Sequence, residues 1–160
     1  RLEDALHRIR KQIQRHLPLL AGLSGLLCLL SPLLFPILFT ETFSESAVIF
    51  NVYLLLLLSR MNLSHTVMMR MESYRLMNLV AFAEVLLNVI LSVWWVQYWG
   101  WMGIALATVV AYLFEKVAFS LWLYFKKDIS LDVYLPVRSY IGYSSLVVIC
   151  FILGSFILYE

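Results

Sequence analysis

The sequence predicts an all-α polytopic membrane protein with five transmembrane helices. Five apolar segments alternate with short polar loops, and each holds the roughly 20 apolar residues that a helix needs to cross the hydrocarbon core. The chain is 62% hydrophobic and 14% charged, with a mean hydropathy of +0.87, whereas soluble domains carry about a quarter charged residues. The segments are Leu17–Phe39, Ala47–Met69, Met77–Gln97, Gly103–Phe125 and Tyr140–Tyr159.

The basic residues separate into alternate loops. The loops at residues 40–46 and 98–102 and the C-terminus carry no Lys or Arg. Because Lys and Arg concentrate on the cytoplasmic side, we expect a cytoplasmic N-terminus and an extracytoplasmic C-terminus. The net charge of +2, without a basic face, argues against nucleic-acid binding. The basic loops carry Arg1, Arg8, Arg10, Lys11, Arg15, Arg70, Arg75, Lys126, Lys127 and Arg138.

Residues 1–16 form a predicted amphipathic cytoplasmic helix, because Leu2, Leu6, Ile9 and Ile13 recur at helical spacing. This helix either lies on the lipid headgroups or extends the first transmembrane helix, and the sequence leaves both open. Residues 17–125 hold the first four apolar segments. The first contains Pro18, Pro32 and Pro36, which predict kinks.

The later segments differ in their polar content. The second carries Ser59, Arg60, Asn62, Ser64 and His65, the third carries Glu84 and Asn88 on one helix face, and the fourth carries Glu115 and Lys116. The fifth has only small polar residues. Residues 126–160 hold a polar cytoplasmic loop and this fifth segment. Both cysteines fall within apolar segments, and we interpret them as small buried residues rather than a disulfide or a metal pair.

The charged residues within the segments lie at similar depths. At about 1.5 Å per residue, Arg60 and Lys116 lie roughly 13 Å from the basic ends of their helices, Glu84 about 10 Å, Glu115 about 15 Å and His65 about 6 Å. Either Arg60 pairs with Glu84 or Glu115 and Lys116 with the other carboxylate, or these groups line a water-filled cavity open to the cytoplasm. We favour the cavity. Its candidate residues are Arg60, His65, Glu84, Asn88, Glu115 and Lys116.

Two stretches resemble a known family. The first is SPLLFPILFTETFSESAVIFN (Ser31–Asn51). The second begins at Arg70 and places Asn88 in a segment, then the turn YWGWMG, in which Gly100 and Gly103 permit a close return, then IALATVVAY. This order resembles the C-terminal half of polysaccharide (O-antigen-type) flippases of the multidrug/oligosaccharidyl-lipid/polysaccharide exporter superfamily. The turn before the third segment departs from the family, since it reads Met-Glu-Ser-Tyr-Arg where a Gly-Lys-like pair is usual.

The resemblance implies a fold of two six-helix lobes, of which residues 17–125 supply four helices of the second, and it implies that the fifth segment, within residues 126–160, is a helix appended to that lobe. It implies export of a polyprenyl-pyrophosphate-linked oligosaccharide across the bacterial plasma membrane by alternating access, with H⁺ or Na⁺ as a coupling ion. The expected partners are membrane lipids, that substrate and the N-terminal lobe of the same protein. Since the chain opens on Arg1 and has an odd number of segments, we expect a piece of a longer protein.

Two other functions remain open at the level of the sequence. A cation-coupled multidrug exporter of the same superfamily would need a more apolar cavity with one or two acids. A membrane enzyme acting on lipid-linked sugars would need a large outer loop, and the outer loops here have about five to seven residues. No metal triad, nucleophile–base pair or phosphate-binding glycine loop is visible, so we expect no enzyme activity, cofactor or metal.

Overall fold

The computed structural model is built from α-helices. It describes residues 2–39 and 44–159. The helices are α1 (Leu2–Leu38), α2 (Ser44–Ser59), α3 (Ser64–Arg70), α4 (Tyr74–Lys127), α5 (Leu131–Tyr134) and α6 (Val137–Tyr159). These described ranges contain no strand. Helix α1 packs along α6 and α2, while α4 contacts α2 and α3.

The surface of the bundle is strongly apolar. By length and composition, α1, α4 and α6 are long and apolar enough to cross a membrane, and α2 contains a shorter apolar stretch, Ser46–Leu57. Large side chains point outward, including Phe82 at 70% exposure and Trp101 at 77%. Soluble monomers rarely expose large contiguous apolar patches. The expected all-helical, membrane-embedded class is therefore supported.

Helix α4 reverses its direction at Gly100. This residue has φ 54° and ψ −137°, a conformation open to glycine alone. Asn88 Nδ2 lies 3.5 Å from Thr108 Oγ1, although a straight helix would separate the two residues by about 30 Å. A Cβ at Gly103 would overlap the carbonyl of Trp95. The two arms of α4, residues 74–99 and 101–127, are therefore antiparallel, and each is about 40 Å long.

The second apolar segment is not one helix. The sequence predicts a continuous helix over residues 47–69, but α2 ends at Ser59 and α3 begins at Ser64. The Ser59 hydroxyl donates to the carbonyl of Leu56 (2.8 Å), and Asn62 Oδ1 accepts from the backbone N–H of Ser64 (3.3 Å). The Asn62 bond offers the backbone an alternative to the helical ladder, and it accompanies the break over residues 60–63.

Helix α1 continues through the predicted amphipathic segment without a break. Leu6 and Ile13 are buried in the same apolar cluster as residues of α3 and of the loops beside α5. Arg10 Nη1 donates to the backbone carbonyl of Asp132 (2.8 Å). The N-terminal segment is therefore continuous with the first apolar helix and contacts α5.

Tyr134 of α5 anchors this end of the bundle. Its side chain is fully buried, and its hydroxyl lies 3.1 Å from the Ser120 hydroxyl on α4. Burial raises the pKa of Tyr134, and the hydrogen bond to Ser120 opposes part of that rise. The phenol therefore stays neutral near pH 7, and this contact is independent of pH in that range.

The contact between α1, α2 and α6 is built around one backbone carbonyl. Pro32 has no N–H, so the carbonyl of Cys28, four residues earlier, loses its helical partner. It instead accepts from the Ser31 hydroxyl (3.1 Å) and from Asn51 Nδ2 on α2 (3.5 Å). Gly154 of α6 packs so close that a Cβ there would overlap the same carbonyl. Cys28 and Cys150 are both free thiols within α1 and α6.

This contact predicts opposite effects for two glycines of α6. Gly154→Ala forces a methyl group against the Cys28 carbonyl, so we expect it to lower the free energy of unfolding by about 1–3 kcal/mol. A Cβ at Gly142 would enter open space, so Gly142→Ala should be neutral or stabilising by up to about 1 kcal/mol. Thermal unfolding in detergent measures both. Equal effects of the two changes would contradict the α1–α6 packing.

Candidate functional site

A charged cavity of about 330 Å³ opens where the second apolar segment breaks. The turn between α2 and α3, the start of α3 and the second arm of α4 form its walls. We call it the charged cavity. Its lining residues are Arg60, Asn62, Leu63, His65, Thr66, Tyr112, Glu115 and Lys116.

The broken helix positions Arg60 and His65 in this cavity. Arg60 follows the last turn of α2, and its N–H donates to the carbonyl of Leu56 (3.2 Å). A cation is favourable at a helix C-terminus, because the helix dipole is negative there. His65 belongs to α3, and its ring centroid lies 5.9 Å from that of Phe119. Both residues depend on the irregular turn that interrupts the segment.

The cations are held by an aromatic ring and a single carboxylate. Lys116 Nζ lies 2.8 Å from Glu115 Oε2, and each side chain is only 11% exposed. The Arg60 guanidinium carbon and Lys116 Nζ lie 5.3 and 5.4 Å from the centroid of the Tyr112 ring. Within the described residues Arg60 therefore forms no ion pair with Glu84 or Glu115, whereas Lys116 has the carboxylate partner that the pairing alternative gives it. One ring contacts both cations.

The charged cavity carries one net positive charge. Arg60 and Lys116 contribute two positive charges and Glu115 one negative charge, with His65 taken as neutral. Within the described part of the chain, Glu115 forms its ion pair with Lys116, which leaves the exposed guanidinium of Arg60 without a carboxylate. The Arg60 guanidinium is well suited to an anion such as phosphate, because it donates hydrogen bonds in parallel.

Four of the six residues singled out from the sequence line this cavity, namely Arg60, His65, Glu115 and Lys116. Glu84, which is partly buried on the first arm of α4, interacts electrostatically with Glu115 and Lys116 but does not line the cavity. Asn88 instead joins the two arms of α4. Its Oδ1 accepts from the Ser92 hydroxyl (3.0 Å), and its Nδ2 lies 3.5 Å from Thr108 Oγ1.

Sequence reasoning missed Tyr112. The residue lies four positions before Lys116, which places both on the same helix face. An aromatic residue at this spacing from a lysine in an apolar helix is a recognisable cation–π signal. The same reasoning would not have found Arg60 on the other side of the ring, because that contact crosses between elements.

An apolar groove of about 410 Å³ adjoins the charged cavity. The two share Asn62 and Lys116. Leu113, Val117 and Leu121 of α4 line the groove on one side, and Tyr140 of α6 also contributes. A single ligand can therefore place an anionic group beside Arg60 and Lys116 and an apolar chain along the second arm of α4.

The described residues hold no group of three or more His, Cys, Asp or Glu side chains that could bind a metal ion. The chain matches no protein-family model, and no curated protein and no solved structure matches it. The proposed function therefore rests on the charged cavity, on the apolar groove, and on the family resemblance of the stretch Ser31–Asn51 and of the stretch that begins at Arg70.

The Tyr112 ring predicts an energetic coupling with Arg60. Tyr112→Phe keeps the aromatic face and should be nearly neutral, whereas Tyr112→Leu removes it and should destabilise the protein. In a double-mutant cycle with Arg60→Gln, we expect Tyr112→Leu to show a coupling free energy of about 0.5–1 kcal/mol. Thermal unfolding of the four proteins in the cycle measures it. A coupling near zero, or equal losses for Phe and Leu, would refute the contact.

Proposed function

We propose that this chain is part of a transporter that moves a polyprenyl-pyrophosphate-linked oligosaccharide from the cytoplasmic to the outer leaflet of a bacterial plasma membrane. The observation that carries the proposal is the charged cavity beside the apolar groove, with Lys116 common to both. The pyrophosphate and sugar occupy the charged cavity, where Arg60 and Lys116 contact the anion. The lipid chain follows the groove.

The proposed topology has five transmembrane helices. The two arms of α4 are the third and fourth, and each exceeds the ~30 Å thickness of the hydrocarbon core. The second combines α2, the turn at residues 60–63 and α3. Non-helical backbone is tolerated at membrane depth where it lines a water-filled cavity, and the charged cavity fits that requirement. The N-terminus is cytoplasmic and the C-terminus extracytoplasmic. The first four helices belong to the second lobe of a two-lobe exporter.

The transport cycle is alternating access, driven by an H⁺ or Na⁺ gradient. Glu115 and Glu84 are the candidates for the coupling step. Glu115 already pairs with Lys116, whereas Glu84 forms no ion pair within the described part of the chain. Glu84 is therefore the stronger candidate for uptake of a cation. No catalytic role is proposed for any residue.

A multidrug exporter is the second candidate function, and the apolar groove favours it. Leucine, valine and tyrosine side chains surround most of the groove, and such a lining suits a lipophilic drug. Arg60 and Lys116, the two cations of the adjoining charged cavity, distinguish the two functions. A cationic drug is repelled by Arg60, whereas a pyrophosphate is attracted to it.

Binding of undecaprenyl pyrophosphate to the purified full-length protein tests the proposal. Native mass spectrometry in detergent should detect one bound molecule. Arg60→Gln and Lys116→Gln should each weaken binding by about tenfold or more, because a hydrogen bond to a charged group contributes about 1.5–3 kcal/mol. Arg138→Gln is the matched control, since Arg138 is an exposed basic residue that lines neither cavity nor groove.

Tetraphenylphosphonium provides the comparison for the drug-exporter alternative. We expect it to bind more weakly than undecaprenyl pyrophosphate and to gain affinity in Arg60→Gln. The proposal fails if the lipophilic cation binds more tightly in the wild type, or if both cavity variants bind undecaprenyl pyrophosphate as the wild type does. Export of surface polysaccharide by a folded Arg60→Ala variant at the wild-type rate would remove Arg60 from the substrate path.

A further inference from the structure

A separate cavity lies at the basic end of the bundle, which we define as the end that carries Arg10, Arg70, Lys127 and Arg138. Its volume is about 620 Å³, within the ~300–1,000 Å³ typical of small-molecule sites. It is formed by the start of α1, by the turn after α3, by the loop that follows α4 and by helix α5. It shares no lining residue with the charged cavity or the apolar groove.

Charges of both signs line this basic-end cavity. Arg70 and Lys127 supply two cations, while Glu3 and Asp128 supply two carboxylates. Within the described part of the chain, Glu3, Arg70 and Asp128 form no ion pair. Lys127 Nζ lies 5.9 Å from the centroid of the Trp122 ring. Unpaired groups of opposite sign around one cavity suit a ligand that itself carries both charges.

Under the proposed topology, on which this step rests, the cavity lies at the level of the lipid headgroups. Arg70 directly follows the apolar segment that ends at Met69, and Lys127 follows the segment that ends at Phe125 by two residues. The rest of its lining is apolar and includes Leu6, Ile129 and Val133. A ligand bound here therefore meets charges on one side and apolar side chains on the other.

The backbone holds Asp128 at the edge of this cavity. Asp128 is the C-cap residue of α4 and adopts the left-handed conformation with φ 53° and ψ 29°. The N–H of the next residue, Ile129, donates to the carbonyl of Leu123 (3.1 Å). Asp and Asn adopt this conformation more readily than other non-glycine residues. Asp128→Asn therefore removes the charge and retains the turn, which makes it a sound test variant.

We propose that this cavity binds the headgroup of phosphatidylethanolamine. Arg70 and Lys127 bind the phosphate, and Glu3 and Asp128 accept hydrogen bonds from the primary ammonium. Phosphatidylglycerol supplies the phosphate without an ammonium group. Phosphatidylcholine carries a quaternary ammonium that donates no hydrogen bond. The site therefore selects among phospholipids by the amine.

Native mass spectrometry of the full-length protein tests this site with three phospholipids of identical acyl chains. We expect one retained phosphatidylethanolamine, and roughly tenfold weaker retention of phosphatidylglycerol and phosphatidylcholine, a difference of about 1.4 kcal/mol. Glu3→Gln and Asp128→Asn should abolish this preference. Arg70→Gln should weaken retention of all three lipids, and Arg138→Gln, an exposed basic residue at the same end, should change nothing.

Several outcomes would overturn the site. They are equal retention of the three lipids, a preference for phosphatidylglycerol, and an unchanged preference in both Glu3→Gln and Asp128→Asn. Displacement of the lipid by glycerophosphoethanolamine at similar concentration would indicate a soluble ligand and would also overturn it. Because no residue is shared with the charged cavity, binding of undecaprenyl pyrophosphate should be unaffected by these variants, and the two proposals fail independently.

Discussion

The fold depends on one constraint, which is that backbone polar groups inside an apolar bundle need partners that lipid does not supply. Pro32 leaves the carbonyl of Cys28 without its helical donor, and Ser31 and Asn51 replace it. Gly154 lets α6 approach the same carbonyl. The three helices α1, α2 and α6 are therefore joined at a point set by a proline. These bonds stabilise the fold because an unsatisfied buried carbonyl would cost about 1–3 kcal/mol.

The same constraint explains where the charged cavity lies. Interruption of the second apolar segment leaves residues 60–63 outside any helix, and Arg60, Asn62 and Leu63 of this turn line the cavity. Arg60 enters the cavity because it occupies that turn. Tyr112 and Glu115 then hold the two cations without neutralising both of them. The break in the second apolar segment, the side chain of Arg60 and the charged cavity therefore occur at the same place in the fold.

The sequence predicted the helices that are long and continuously apolar, because hydrophobic length alone identifies them. It also predicted a turn containing Gly100 and Gly103, since glycine is needed where a chain reverses closely. It did not predict the break after Ser59. A run of polar residues, Ser59, Arg60, Asn62, Ser64 and His65, stands at that place, but polar residues occur within transmembrane helices as well as in turns. Nor could it identify Tyr112 as the partner of Arg60, since depth along a helix does not determine which face meets its neighbour.

We expect water to reach the charged cavity at Thr66, which is one of its lining residues. Thiol labelling of Thr66→Cys in a Cys28→Ala/Cys150→Ala background tests it directly, with anionic and cationic membrane-impermeant methanethiosulfonates. We predict labelling that is faster with the anionic reagent, and loss of that preference when Arg60→Gln is added. Phe82→Cys, on the apolar outer face, should remain unlabelled. A Thr66→Cys protein as unreactive as Phe82→Cys, or one that reacts equally with both reagents, would contradict the claim.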